Sequence, residues 1–166
     1  MVYMLLGTGF EETEAIAPLD LLRRAGIPTL TVGLNGKTVY GGHNIGIEAD
    51  ITVEQMDLTE LDMIILPGGL GGVASIRACK QAMDAIAFAN ENGKLVAAIC
   101  AGPTVLADLG ITDGKNAVCY PGCEENMGSA IIGTSAGGAI DFVLELIRAM
   151  NGNDAAQTIA EQIVRR

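Results

Sequence analysis

The stretch LVAAICAGPTVLADLG, residues 95–110, decides the fold and contains the most informative side chain of the sequence. The segment Lys94 to Ile99 is mostly apolar, as expected of a strand that is buried on both faces of a sheet. A helical segment, Ala101 to Leu109, follows directly. Cys100 therefore lies on a tight turn between strand and helix, which is the layout of a nucleophile elbow.

The neighbours of Cys100 fit such a turn. Ala98, Ala101 and Gly102 are small, and a bulky side chain would clash there. The start of the helix supplies partial positive charge and N–H groups that point at the sulfur. We therefore expect the pKa of the Cys100 thiol to be lowered. The alternative is a buried core cysteine, which is the commoner state of an unpaired cysteine.

Outward from this turn, apolar runs alternate with helical patterns along the whole chain. The predicted strands are Val2–Leu6, Thr29–Leu34, Met63–Leu66, Lys94–Ile99, Ala117–Tyr120 and Ile131–Gly133. The predicted helices are Glu12–Ala25, Ala78–Asn92, Ala101–Leu109, Ala136–Met150 and one that begins at Asp154, and Thr38–Ile51 predicts a small antiparallel excursion. This alternation predicts an α/β fold, a flavodoxin-like three-layer sandwich with a mostly parallel central sheet and helices on both faces. No linker divides residues 1–166, so a single domain is expected.

Composition narrows the class of protein. The hydrophobic content of 49% and the mean hydropathy of +0.37 indicate a well-packed core with apolar surface to spare, which suggests an oligomer. The net charge of −10, without a stripe of Lys and Arg, disfavours nucleic acid as a partner. The N-terminus MVYMLLGTGF resembles neither a signal peptide nor a membrane span, and the four cysteines form no CxxC pair. We therefore expect a cytoplasmic protein.

Ligand sites in parallel sheets lie beyond the carboxyl ends of the strands, where two further loops are expected beside Cys100. In LPGGLGG, Gly68 and Gly69 follow a strand end, and glycine lets a backbone N–H approach a reacting oxygen closely. The alternative is an ordinary glycine-rich turn. A phosphate-binding loop of the Walker type is excluded, because no GK[ST] follows.

The second loop, GFEETEA, places three carboxylates at the start of a helix. Acidic residues are common there because they interact favourably with the helix dipole. Glu14 could in addition lean over the strand ends. A carboxyl packed against a thiolate would have a raised pKa, and it could then donate a hydrogen bond to the sulfur.

The only imidazole of the chain is His43, which excludes a His-rich metal site. His43 lies in the glycine-rich excursion, distant in sequence from Cys100. A Cys–His catalytic pair needs an imidazole beside the thiol. We therefore expect no self-contained Cys–His triad, although a partner subunit could present His43.

Four segments in this order, GFEETEAIAPLDLLRRAGI, ILPGG, AAICAGP and CYPG, resemble the ThiJ/PfpI superfamily over essentially the whole chain. The most similar branch is that of the Parkinsonism-associated protein deglycase and its small bacterial relatives. The resemblance implies that Cys100 is the reactive cysteine and that Glu14 is a protonated glutamate bonded to it. It also implies that the backbone N–H groups of Gly69 and Ala101, beside Gly68, face the site.

The sequence departs from the family pattern at several positions. Tyr120 falls where some members have a histidine, which puts proteolysis in doubt. Arg24 and His43 fall where relatives place polar residues near the dimer interface. Between Glu125 and Ile131 the chain lacks a segment like a β-hairpin, on the order of a dozen residues.

The expected function is that of a cofactor-independent cysteine enzyme, a glyoxalase or protein deglycase that needs no glutathione. It would act on 2-oxoaldehydes such as methylglyoxal, or on their adducts, as a homodimer without a metal. Cys100 would be the nucleophile and Glu14 the acid/base, while amides of Gly69 and Ala101 would stabilise the oxyanion. One alternative is a redox-responsive stress or chaperone-like protein with an oxidisable Cys100. A weaker alternative is an amidase or peptidase.

Overall fold

In the part of the chain that the structure describes, five parallel strands form the sheet that carries the candidate site. In the computed structural model, the described residues are 1–113, 119 and 136–164. The strands of this sheet, in the order in which they lie side by side, are β5 (Ile51–Thr52), β2 (Thr29–Gly33), β1 (Val2–Leu6), β6 (Met63–Leu66) and β7 (Leu95–Ala98). All neighbouring pairs are parallel. Their carboxyl ends therefore meet at one edge, as predicted.

Helices cover both faces of the sheet and give the three predicted layers. The helices are α1 (Glu12–Arg24), α2 (Leu70–Ala78), α3 (Lys80–Glu91), α4 (Pro103–Asp108), α5 (Ala139–Asn151) and α6 (Asn153–Gln162). Met4 and Ile65 point to one face, where they pack with residues of α1, α5 and α6. Leu5 and Ile64 point to the other, with residues of α2, α3 and α4. Successive side chains of a strand face opposite sides, so two covered faces need continuous apolar strands.

A two-stranded antiparallel hairpin, β3 (Thr38–Tyr40) and β4 (Gly46–Glu48), forms the predicted excursion. It docks on the loop between β1 and α1. Gly9 N donates to Tyr40 O at 2.8 Å, and Gly42 N donates to Phe10 O at 2.8 Å. The tip of the hairpin is thereby held at the same edge as the carboxyl ends of the strands.

The predicted elements do not include helix α2, because the stretch LPGGLGG, residues 66–72, is interpreted there as a loop. The structure starts α2 at Leu70, so Gly71 and Gly72 lie in its first turn. A Cβ atom on Gly72 would lie 2.7 Å from Cα of Phe10. Glycine is required here because the helix packs directly on the backbone of the loop between β1 and α1.

Other boundaries shift by a few residues. Cys79 has extended backbone angles and separates α2 from α3, so α3 starts at Lys80 and not at Ala78. Helix α4 starts at Pro103, a residue suited to the first helical position, and not at Ala101. The strands predicted at Ala117–Tyr120 and Ile131–Gly133, and the shortened segment Glu125–Ile131, lie outside the described residues except for Cys119, which is buried. None of the described helices is both long and apolar enough to span a bilayer.

Candidate active site

Cys100 lies at the carboxyl end of β7, on a turn with strained backbone. Its φ is +60°, in the left-handed region that a residue with a side chain rarely adopts. Such a conformation costs on the order of 1–3 kcal/mol and is concentrated at functional sites. A Cβ atom on Gly102 would lie 2.7 Å from Leu66 O, so the turn needs a glycine there. The turn thus combines a left-handed residue, Cys100, with a close backbone approach at Gly102.

Glu14 and Cys100 meet beside Gly68. Glu14 is only 1% exposed, and its Oε2 accepts a hydrogen bond of 2.9 Å from Gly68 N. A Cβ atom on Gly68 would lie 2.6 Å from Cys100 Cβ and 3.1 Å from Cys100 Sγ, and it would collide with Glu14 Oε2. Only glycine leaves space for the thiol and the carboxyl to approach each other.

The other carboxyl oxygen, Glu14 Oε1, is buried and has no hydrogen-bond partner in the described part of the chain. A buried polar atom without a partner is destabilising by about 1–3 kcal/mol. Such atoms are rare in folded proteins and call for an explanation. Oε1 is thus the oxygen of Glu14 that is available to a ligand or to a transferred proton.

Burial raises the pKa of Glu14 to about 7; hydrogen bonding to Cys100 and to the Gly68 amide opposes this shift, and the nearby Glu11 carboxylate adds to it. Burial is also the main cause that raises the pKa of Cys100, to about 12, and the charge and hydrogen bonding of Glu14 raise it further. The N–H groups of Gly69 and Ala101 lower that pKa, but less. The expectation of a lowered thiol pKa was therefore wrong, because it considered the helix end and omitted burial and the adjacent carboxylate.

The two groups titrate as a coupled pair. A negative charge on either group disfavours ionisation of the other. The pair of Glu14 and Cys100 therefore carries one negative charge between about pH 7 and about pH 12. That charge resides on Glu14 or, if the carboxyl keeps the proton, on the sulfur. The second arrangement has the thiolate facing the N–H groups of Gly69 and Ala101 and removes the repulsion by Glu14.

His43 lies at the tip of the β3–β4 hairpin and is held by Glu12 of the same chain. Its backbone N donates to Glu12 Oε1 at 2.7 Å, and its Nδ1 lies 2.8 Å from Glu12 Oε2. Hydrogen bonding to Glu12 raises the pKa of His43, whose side chain is 76% exposed. Its described contacts are with Glu12 and not with Cys100.

One group of side chains in the described ranges has the composition of a metal site. Atoms of Glu11, Glu12 and His43 that could bind a metal lie within 4.8 Å of one another. Two properties disfavour a cation there. Glu12 already bonds twice to His43, and the group lies at the N-terminus of α1, where the helix dipole opposes positive charge. We therefore interpret it as a carboxylate–imidazole pair beside a helix cap.

The remaining predicted residues do not join this cluster. Arg24 lies in the last turn of α1, about 15 Å along the axis from Glu14, and pairs with Asp20 at 2.8 Å. Tyr120 lies outside the described residues.

Sequence reasoning missed the separate role of Glu11, whose Oε2 accepts from Glu14 N at 2.8 Å as the N-cap of α1. Its position before the helix was a usable signal, but glutamate is not a favoured N-cap residue.

Residues 1–149 match the DJ-1/PfpI family. The chain belongs to this family. Protein dj-1beta of Drosophila melanogaster is 32% identical over 97% of this chain and 95% of the relative. A deglycase of Pyrococcus horikoshii is 30% identical over 76% of this chain and 75% of the relative. The alignment with dj-1beta spans 177 positions for a chain of 166 residues, so that relative has residues without a counterpart here.

Solved structures of the family show the same fold. The crystal structure of Drosophila melanogaster DJ-1beta has a TM-score of 0.91 at 32% identity and covers 98% of this chain and 96% of that one. Toxoplasma gondii DJ-1, solved in an oxidized form, has a TM-score of 0.90 at 28% identity, with 98% and 97% covered. The flavodoxin-like α/β fold and the ThiJ/PfpI membership expected from the sequence are thus confirmed.

Proposed function

We propose that this member of the DJ-1/PfpI family is a glyoxalase or deglycase that converts 2-oxoaldehydes, or their adducts, with Cys100 as nucleophile and Glu14 as acid/base. One observation carries the proposal. The buried carboxyl of Glu14 lies beside the strained Cys100, with Oε2 held by Gly68 and Oε1 without a partner in the described chain. A carboxyl with a pKa of about 7 is suited to exchange protons near neutral pH. The deglycase of Pyrococcus horikoshii supports the same class of reaction.

The residues of the site suffice for each step. The Cys100 thiolate attacks the aldehyde carbon; a C–S bond forms, and the carbonyl π electrons move to oxygen. Amides of Gly69 and Ala101 stabilise this oxyanion, and Glu14 gives it a proton, which completes a hemithioacetal. The Glu14 carboxylate then removes the proton from the same carbon, which leaves an enediolate, and returns that proton to the neighbouring carbon. The hydroxyl proton of the first carbon moves to the oxygen of the second. The product is a thioester of a 2-hydroxy acid.

Water then hydrolyses the thioester, which releases the 2-hydroxy acid and restores the thiol. One carbon of the substrate is oxidised while its neighbour is reduced. The reaction is therefore balanced without glutathione, a metal or an external oxidant.

The decisive experiment follows lactate formation from methylglyoxal, with glutathione omitted, for wild type and for Cys100→Ser. We expect lactate from the wild type and at least a 10³-fold lower rate from the variant, because a hydroxyl cannot replace the thiolate at neutral pH. Cys79→Ser serves as a matched control, since Cys79 lies at the junction of α2 and α3, away from the strand ends. Equal rates for wild type and Cys100→Ser would refute the proposal.

A second candidate function is redox sensing by Cys100. It is favoured by the oxidized form in which Toxoplasma gondii DJ-1 was solved. Two molecules of peroxide would convert the Cys100 thiolate to a sulfinate, each being reduced to water. Protonated Glu14 would then donate a hydrogen bond to a sulfinate oxygen. If wild type forms no 2-hydroxy acid, this candidate replaces the first.

The homodimer and the cytoplasmic location also remain proposals. Ile16 of α1 is 37% exposed, and Tyr40 and Ile45 of the hairpin are 52% and 54% exposed. Large apolar side chains on adjacent elements are typical of a protein–protein contact. A two-fold dimer that covers α1 would bury these side chains.

A further inference from the structure

The first turn of α1 contains a modified capping box, in which Gly68 is inserted between the two residues that usually bond to each other. In an ordinary capping box, the N-cap side chain accepts from the backbone N–H of the third helical residue, whose glutamate side chain reaches back to the N-cap N–H. Here the first half is present, because Glu11 Oε2 accepts from Glu14 N at 2.8 Å. The second half is replaced. Glu11 N donates to Gly68 O at 3.0 Å, and Gly68 N donates to Glu14 Oε2 at 2.9 Å.

Three hydrogen bonds thus close a ring through Glu11, Glu14 and Gly68, and this ring joins both sides of the candidate site. Glu14 faces Cys100 directly, and Gly68 precedes Gly69, whose amide interacts with the sulfur. We propose that Glu11 is a positioning residue, which holds the Glu14 carboxyl and the Gly68 loop against Cys100 through this ring. The inference rests on the proposed function in taking Glu14 as the acid/base.

A helix start alone does not account for a glutamate at this position. Serine, threonine, aspartate and asparagine are the favoured N-cap residues, because their shorter side chains reach the backbone N–H more readily. A carboxylate, whether of glutamate or aspartate, contributes an effect that a neutral N-cap residue cannot, since the negative charge of Glu11 raises the pKa of Glu14. The other groups that act on Glu14 are Cys100 and the Gly68 amide, while Glu12 is bonded to His43. The charge of Glu11 therefore favours the protonated form of Glu14 that a general acid requires.

Three substitutions separate the two effects of Glu11. Glu11→Gln keeps an oxygen acceptor for Glu14 N but removes the charge. Glu11→Ala removes both, and Glu11→Asp keeps both on a favoured N-cap residue. Glu12→Gln is the control, because it neutralises the adjacent carboxylate and leaves the ring intact. Two readouts need no substrate: the pH midpoint of the Glu14 carboxyl by ¹³C NMR, assigned with Glu14→Gln, and hydrogen exchange of the Gly68 amide.

We expect Glu11→Gln to shift the Glu14 midpoint to lower pH and to leave exchange of the Gly68 amide unchanged. Glu11→Ala should shift the midpoint and also accelerate that exchange, while Glu11→Asp should behave as wild type. With a 2-oxoaldehyde substrate, kcat of Glu11→Ala should fall roughly 10- to 100-fold with little change in KM, as expected for a misplaced acid/base group.

The inference is overturned if Glu11→Gln leaves the Glu14 midpoint unchanged, or if Glu12→Gln shifts it as much. Unchanged exchange of the Gly68 amide in Glu11→Ala would overturn it too. A wild type without turnover would refute the proposed function, and the two NMR readouts would still decide the role of Glu11.

Discussion

Glu14 and Cys100 both lie against the position on Gly68 that a side chain would occupy: a Cβ atom there would lie 2.6 Å from Cys100 Cβ and would collide with Glu14 Oε2. Real Cβ atoms do not approach other atoms so closely, so any side chain here must displace the thiol, the carboxyl or the end of β6. The proximity of the two reactive groups therefore depends on a residue that has no side chain.

Gly68→Ala is expected to reduce turnover at least 10²-fold, because it moves Glu14 and Cys100 apart. Overpacking should also lower the free energy of unfolding by about 1–3 kcal/mol. Turnover and urea denaturation measure the two effects. Gly137→Ala is the matched control, since a Cβ atom there meets no atom of the described residues within 4 Å. Wild-type kinetics for Gly68→Ala would contradict the geometry of the site.

The fold was predictable, and so was the turn at Cys100, because their signals are local. An apolar strand followed by small residues indicated the turn at Cys100, and the family motif indicated Glu14. The pairing of His43 with Glu12 was not predictable, since the residues are 31 positions apart and meet only when the hairpin docks on α1. Helix α2 was missed because its glycines serve close packing on Phe10, a reason that only the tertiary structure reveals.

The direction of the thiol pKa was predicted incorrectly for a related reason. The helix end beside Cys100 is a local feature, whereas burial depends on the packing of the whole fold and the facing carboxylate comes from Glu14, on another element. Coupled groups of this kind cannot be assessed from the turn alone.

Alkylation of Cys100 should depend on the proton that it shares with Glu14. We expect the rate to rise through about pH 7, where the pair loses its first proton, and then to level off well below pH 12. Peptide mapping after labelling at a series of pH values measures this profile. In Glu14→Gln the inflection near pH 7 should disappear. A wild-type rate that rises only towards pH 12 would show that the sulfur does not share the charge.

The free energy of unfolding should also depend on pH through the protonation of Glu14. The pKa of Glu14 rises from 4.5 to about 7 in the folded state, so the folded protein binds more protons than the unfolded chain between these values. The stability that protonated Glu14 contributes is complete below about pH 4.5 and is lost as the pH rises through 7. Wild type should therefore lose on the order of 3 kcal/mol relative to Glu14→Gln over this range. Urea denaturation at several pH values tests this, and parallel curves would contradict it.

The apolar side chains on α1 and the hairpin predict a dimer. Light scattering at low micromolar concentration should give twice the chain mass of 17.2 kDa. Ile16→Glu, which places a charge on the partly exposed face of α1, should shift the equilibrium towards the monomer. A monomeric wild type would refute the dimer and any contribution of a partner's surface to the site.

Glu14→Gln also separates the enzyme from the redox sensor, because the two functions use the Glu14 proton differently. In the enzyme the proton must move to and from the substrate, and general acid–base catalysis of this kind contributes about 10²–10⁴-fold in rate. In the sensor the proton only has to remain, as a hydrogen-bond donor to the oxidised sulfur. Glutamine keeps a donor of nearly the same shape but cannot transfer a proton.

We therefore expect Glu14→Gln to lose 2-oxoaldehyde turnover by about 10²–10⁴-fold while peroxide still oxidises Cys100. Lactate formation and the mass of the Cys100 peptide after peroxide treatment are the two measurements. Cys100→Ser is the control in both, because it should lose turnover and oxidation together. If Glu14→Gln turns over substrate as fast as wild type, Glu14 is not the acid/base and the proposed mechanism is wrong. If peroxide no longer oxidises Cys100 in Glu14→Gln, oxidation needs the Glu14 proton as much as turnover does. The proposed difference between the two functions, proton transfer in the enzyme and hydrogen-bond donation in the sensor, is then refuted.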